Sequence, residues 1–366
     1  MSDVLFTPLT INDLTIPNRI AMSAMTRGFS TDGVPGADVA AYYGARAAGG
    51  VGLIITEAVA VDRPGAAELP GIPTFHHPAA AAGWRSVLSA VHDAGGRIAA
   101  QLHHAGALRK AETSAIPEAL NDEPATMSDA DIADTIAAFG TAAGEARRLG
   151  FDAVEIHGAN GNLINQFLWS GRNTRSDGWG GGVEGRARFA VAATQAVRAA
   201  VGPDFPVLFR VSQFTQEDYA ARIAETPAEF GTILAALVDA GVDAFHASQR
   251  RFWEPQFAGS DLNLAGWARH LTGKPAITVG SVGLQGPDIG DLLAGQGANA
   301  GPAGLTELRA RIERGEFDMI AVGRALLTDP RWANKVRENR LADLRGFDLA
   351  SLGSLVIEDA PVRVAA

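Results

Sequence analysis

The chain has 366 residues, 47% hydrophobic and 20% charged, which is enough apolar material for a large buried core and carries no low-complexity or disordered signature. A formal charge of -10 and a pI near 5.3 argue against a nucleic-acid or anionic-membrane surface, since both need clustered Lys and Arg. The lack of cysteine removes disulfides, thiol nucleophiles, Cys-type zinc sites and iron-sulfur clusters together.

The opening MSDVLFTPLTINDLTIPNRI has no basic start followed by a long apolar stretch, and no run of ~18 apolar residues follows, so a cytoplasmic protein is expected. Eight short apolar runs then follow, each introduced by Gly, Pro or Asp and each of strand length: RIAMSAM from Arg19, VGLIITEA from Val51, GRIAAQLHH from Gly96, FDAVEIHG from Phe151, FPVLFRVS from Phe205, VDAFHAS from Val242, PAITVGSV from Pro275 and FDMIAVGRA from Phe317. Segments with helical spacing lie between them, among them Pro78 to Asp93, Asp129 to Leu149, Glu184 to Val201 and Pro227 to Ala240. Such alternation predicts an α/β fold with parallel strands and right-handed crossovers, and eight repeats close into a (β/α)8 TIM barrel. No linker divides residues 1–366, so one domain is expected. The turn-like Asn12-Asp13 within FTPLTINDLTIPN predicts an N-terminal β-hairpin capping the bottom of the barrel. An open doubly wound sheet is the competing architecture, but GGVGLI and GSVGLQG both miss the G-x-G-x-x-G spacing of a dinucleotide fold.

In such a barrel the active site lies at the C-terminal strand ends. The polar candidates there are Thr26 and Arg27, Thr56 and Glu57, Gln101 with His103 and His104, His157 with Asn160, Arg210, His246 and Ser248, Ser281, and Arg324. Gly280-Ser281 and Gly323-Arg324 combine glycine turns with a basic side chain, as an anion cradle requires; tight turns beside a solvated helix charge are the plain alternative. The pairs His76-His77 and His103-His104 lack a supporting carboxylate arrangement, so no metal site is expected.

Four landmarks carry a family likeness: LFTPLTINDLTIPNRIAMSAMTR, QLHHAG, GFDAVEIHGANGNLINQFLWSGRNTRSDGWGG and FDMIAVGRALLTDP. On these the chain resembles the old yellow enzyme family of FMN-dependent oxidoreductases over nearly its full length. The resemblance implies FMN as cofactor and NADPH or NADH as hydride donor. It places Gln101 and Arg210 at the flavin's pyrimidine edge and N1, Thr26 near O4, and the backbone of Ala24, Met25 and Ala58 against the ring. Gly280, Ser281, Gly323 and Arg324 would take the phosphate. His157 and Asn160 would donate hydrogen bonds to the oxygen of a small-molecule electron acceptor, polarising an α,β-unsaturated carbonyl for hydride addition.

One departure stands out. The family continues Gly-Tyr-Leu after this Asn, the tyrosine being the proton donor, whereas here Gly161 is followed by Asn162, and an amide is no practical general acid. Solvent, another side chain or an acceptor needing no carbon protonation, such as a quinone, would resolve this; Tyr219 is the candidate replacement. His103 stands where many relatives carry an aromatic residue, and Phe252 and Trp253 are candidate pocket walls. The expected function is NAD(P)H-dependent reduction of electron-poor alkenes, nitro compounds or quinones in a ping-pong cycle, by a single-barrel relative without an iron-sulfur cluster. The competing readings are a non-redox phosphate-binding barrel lyase or isomerase, for which Glu57 is the only acidic strand-end candidate, and a phenol-binding flavoprotein with little turnover. The tail DLRGFDLASLGSLVIEDAPVRVAA could cover its own barrel or contact a neighbour, which leaves a homo-oligomer open.

Overall fold

The computed structural model describes residues 3–108, 123–286 and 301–355. Strands β1 (Leu9–Ile11) and β2 (Leu14–Ile16) form the expected hairpin, with Asn12 at the left-handed φ of 50° that its two-residue turn demands. The barrel strands are β3 (Ile20–Met22), β4 (Leu53–Ala60), β5 (Arg97–His103), β6 (Ala153–Asn160), β7 (Val207–Thr215), β8 (Ala244–Ser248), β9 (Ala276–Val279) and, after the short pair β10 (Leu284–Gln285) and β11 (Gly301–Pro302), β12 (Met319–Val322). They close in the order β12-β3-β4-β5-β6-β7-β8-β9, every barrel pairing being parallel. β3 stops short of the apolar run that predicts it: past Met22 the chain leaves the sheet and carries Ala24, Met25 and Thr26 across the mouth.

Helices α1 (Ala37–Ala48), α2 (Ala80–Asp93), α3 (Asp129–Leu149), α4 (Leu163–Leu168), α5 (Val183–Val201), α6 (Pro227–Ala240), α7 (Leu264–Thr272) and α8 (Leu305–Glu313) lie between the strands. The ends of α3 and α6 match the sequence expectation because their caps are local. Ser128 and Asp131 form a capping box on α3 and Gly150 ends it in the left-handed region; Thr226 caps α6, Pro227 starts it and Gly241 ends it. No described helix is long and apolar enough to cross a membrane.

Strand periodicity sorts the side chains into two cores. Ile54, Ile98, Val154, Phe209 and Phe245 face the helices. Their neighbours Leu53, Ile55, Ala99, Ala153, Leu208, Ala244, Ile277, Met319 and Ala321 fill the barrel interior, where Ile11, Leu14 and Ile16 of the hairpin join them. The hairpin therefore plugs the bottom with apolar side chains, and the next inward positions up the strands are left for polar groups.

Candidate functional site

Two residues above this floor, the inward positions carry Gln101, Glu155, Arg210 and His246, all buried. Glu155 joins them: its Oε1 accepts from Gln101 Nε2 at 2.7 Å and its Oε2 lies 2.7 Å from His246 Nδ1. Burial alone would raise its carboxyl, but His246, Arg210 and Gln101 outweigh that and hold it below the usual carboxylate range. Arg210, whose pKa burial lowers while Glu155 opposes the fall, donates from Nη1 to the Ala24 carbonyl at 3.1 Å, and its buried Nε has no partner among the described residues. Such a cation is oriented by the ion pair below it and has a donor left over for a group above it.

The next layer opens into two adjoining cavities, of about 540 and 310 Å³, which share Thr26 and Gln216 as walls. Ala24, Met25, Thr26, Arg210 and Asn160 line the larger one, with Gly280, Ser281, Gly323 and Arg324 together at its wall and Tyr219 among its further walls. The two turns meet directly: Arg324 Nη2 is 3.4 Å from Ser281 Oγ. Gly280 has φ 144°, and an added Cβ would come within 2.3 Å of the Gln249 carbonyl oxygen, so only glycine fits this approach. At Gly323 a Cβ would meet only Met25 Sδ, at 3.5 Å.

His157, Ala58, His103, Glu68 and Asn162 line the smaller cavity with Thr26. His157 and Asn160, expected side by side, are thus separated by a bulge between Gly158 and Asn160, where Asn160 takes φ 61°. Ser248 Oγ donates to Asn160 Oδ1 at 3.0 Å, so the amide Nδ2 is the group left for a ligand. His157 Nε2 faces Asn162 Nδ2 at 2.8 Å and its buried Nδ1 has no partner among the described residues. Because Asn162 Nδ2 also donates to the Ala159 carbonyl at 3.0 Å, the amide orientation is settled and His157 Nε2 must accept. Burial, with Arg210, His103 and His246 adding to it, pushes His157 well below its ordinary value. The ring is neutral, and its proton sits on Nδ1.

A family model described as "NADH:flavin oxidoreductase / NADH oxidase family" matches residues 4–289. The chain belongs to this family. It is 31% identical to an NADH oxidase of Thermoanaerobacter brockii over 98% of its own length and 55% of that protein's, so it spans about half of this curated relative. A metal reductase of Desulforamulus reducens is 30% identical over 93% of this chain and 50% of that protein. Among solved structures it is similar to an old yellow enzyme homologue from Zymomonas mobilis (TM-score 0.78, 26% identity, 95% of this chain and 96% of that one) and to morphinone reductase (TM-score 0.77, 29% identity, 96% and 93%). Morphinone reductase is also solved in complex with tetrahydroNAD.

FMN is the cofactor of this flavin oxidoreductase family, and the residues fit it. The unpartnered buried Nε of Arg210 suits an electron-rich ring, and the Gly280-Ser281 and Gly323-Arg324 turns suit a phosphate. Gln101 lines neither of the two cavities; its Nε2 donates to Glu155, its neighbour in the layer beneath them. Phe252 lines neither of them either. It is fully buried against Trp253 and Gly304.

Other working residues escape a strand-end search. Glu155 is one, although a carboxylate inside an apolar run and in phase with His157 is a readable signal. Asn165 and Gln166 are two more: Gln166 Nε2 donates to Ala105 and Gly161 carbonyls at 3.1 and 2.6 Å, and Asn165 Oδ1 accepts from Gly161 N at 2.9 Å, which ties the loop after β5 to the loop after β6. Glu57 is not a free catalytic base. Its Oε2 accepts from Arg27 and Gly28 N-H, both at 2.8 Å, and fixes the loop after β3. Glu68 supplies the carboxylate that His103 lacks in sequence, 2.7 Å from its Nε2. The described part of the tail covers its own barrel: Arg27 Nη2 donates to Ser351, Leu352 and Ser354 carbonyls, and Leu352 lines the larger cavity.

Proposed function

We propose that the chain is an FMN-dependent NAD(P)H oxidoreductase that reduces electron-poor alkenes, nitro compounds or quinones by alternating use of one site. The carrying observation is the pair of adjoining cavities: a larger one with Arg210 and the two glycine turns on its wall, and a smaller one that shares Thr26 and Gln216 with it among the described residues. When bound, FMN supplies two-electron hydride exchange between a nicotinamide and an acceptor. Arg210 is placed to balance the charge that reduction adds, Thr26 to hydrogen-bond the ring where the cavities join, and Gly280, Ser281, Gly323 and Arg324 to hold the phosphate.

In the small cavity the Nδ1-H of His157 would donate to the acceptor's oxygen, and this bond strengthens as enolate or phenolate charge develops there. Asn160 Nδ2 is the second donor, reaching from the larger cavity. Asn162 acts through His157 by fixing which nitrogen carries the proton, so the side chain at the family's tyrosine position orients rather than protonates.

The test is the visible spectrum of the purified protein, recorded anaerobically with NAD(P)H and then with 2-cyclohexenone or a benzoquinone. Flavin absorbance that disappears with NAD(P)H and returns with an acceptor supports the proposal. A protein that binds no flavin on incubation with FMN refutes it.

A further inference from the structure

With Asn162 unable to act as an acid, the proton that completes an alkene reduction needs another source, and the small cavity contains one. We propose that His103, held by Glu68, protonates the α-carbon of an alkene acceptor. This rests on the alkene-reducing chemistry proposed above.

His103 is the inward residue of β5 one layer above Gln101, only 1% exposed, and it lines the same cavity as His157 and Asn162. Its ring centroid is 5.6 Å from that of His157. An acceptor oxygen and its α-carbon are separated by a single atom, so a carbonyl compound bonded to His157 Nδ1 presents that carbon within the same small space. Glu68 Oε2 takes His103 Nε2 at 2.7 Å, while His103 Nδ1 is buried without a hydrogen-bonding partner among the described residues. Leaving a buried nitrogen unpaired is costly, so the arrangement favours a ligand or a transferable proton at Nδ1. Burial would raise the Glu68 carboxyl, but the charge and hydrogen bond of His103 outweigh it and hold Glu68 below the usual carboxylate range.

The other candidates are occupied or distant. Asn162 spends its amide hydrogens on His157 Nε2 and the Ala159 carbonyl. Tyr219 is 41% exposed, packs on Phe214 and under Arg250, and lines the larger cavity only. The titratable groups around His103 are Glu68, His157 and Glu217 on the cavity walls, with Arg210 one layer below.

The balance is simple. A hydride, supplied by NAD(P)H in the proposed reaction, forms the new bond at the β-carbon; the alkene π pair takes the Nδ1 proton of the His103 imidazolium at the α-carbon. The imidazole is left neutral with Nε2-H on the Glu68 carboxylate, and once product leaves, water entering the small cavity returns a proton to Nδ1. A quinone needs no proton at carbon and so does not call on His103.

The experiment compares anaerobic reoxidation of NAD(P)H-reduced enzyme by 2-cyclohexenone and by a benzoquinone in wild type, His103→Gln, Glu68→Gln and Tyr219→Phe, with ¹⁵N-histidine NMR of the unloaded and loaded proteins. His103→Gln should lower the enone-to-quinone rate ratio about 10²-fold, the scale of one general acid. Glu68→Gln should move the enone pH profile to lower pH and change the His103 ring signals in NMR. An unchanged ratio in His103→Gln, a selective enone loss in Tyr219→Phe, or His103 signals that do not respond to Glu68→Gln overturns the proposal. Wild type that is bleached by NAD(P)H and reoxidised by quinone but never by enone overturns it alone; wild type that is not bleached overturns the underlying function with it.

Discussion

Asn162 Nδ2 stands 2.8 Å from His157 Nε2, and the same nitrogen donates to the Ala159 carbonyl, so one amide selects the tautomer of the histidine in the small cavity. Replacing it should therefore disturb His157 without removing an acid. Asn162→Leu is expected to slow carbonyl-acceptor reduction roughly 3- to 10-fold, the worth of one net hydrogen bond, and to spare reduction by NAD(P)H. ¹⁵N NMR of His157 checks the cause: a single Nδ1-H tautomer in wild type should become a mixture. A variant whose His157 spectrum matches wild type would end this account of Asn162.

Arg210 and Glu155 make a buried opposite-charge pair beneath the cavity. Without Arg210 the buried Glu155 charge is left to Gln101 and His246 alone, so Arg210→Gln should lose stability, by up to about 3 kcal/mol. The double variant Arg210→Gln with Glu155→Gln should recover much of that loss in chemical denaturation while still binding FMN weakly. Additive losses would show that the two charges are not coupled.

Glu57 gives a pH-dependent stability. Burial pushes its carboxyl up to about 7, against the pull of the Gly28 and Arg27 N-H groups. The unfolded chain releases this proton near the ordinary glutamate value of 4.5 and the folded chain only near 7, so in between the folded state holds the extra proton and stability falls as pH rises. A shift of that size is on the order of 3 kcal/mol. Glu57→Gln keeps an oxygen for both N-H groups and removes the ionisation. Urea denaturation from pH 5 to pH 8 should show a flatter decline and a more stable variant above pH 7; parallel curves would place the carboxylate in a better-solvated setting than its burial indicates.

The two glycine turns should respond differently to a methyl group. Gly280→Ala puts a Cβ onto the Gln249 carbonyl at a backbone angle unsuited to alanine, so it should lower the melting temperature as well as FMN content. Gly323→Ala meets only Met25 Sδ at ordinary contact distance and should fold normally. Its effect should appear as weaker FMN retention, read by flavin absorbance after dialysis. Equal thermal losses in both variants would argue that Gly323, like Gly280, is required by its turn.

Much of this molecule is legible along the chain because its order is local and periodic. The apolar runs and helix caps announce eight βα units, and alternation along each strand decides that Gln101, Glu155, Arg210 and His246 share the barrel's inner face while their neighbours pack outward. Asn162 at the tyrosine position is likewise plain in the sequence. What the tertiary structure alone decided are relations between residues far apart in the chain: Glu68 meeting His103, Gln101 committed to Glu155, Tyr219 placed on the larger cavity, and the tail held by Arg27 over its own barrel. Even Asn162 against His157, five residues apart, depends on the turn after β6 folding the amide back. Periodicity tells which face a side chain takes, but the identity of its partner is set by barrel closure and loop geometry, which bring separate segments within hydrogen-bonding distance.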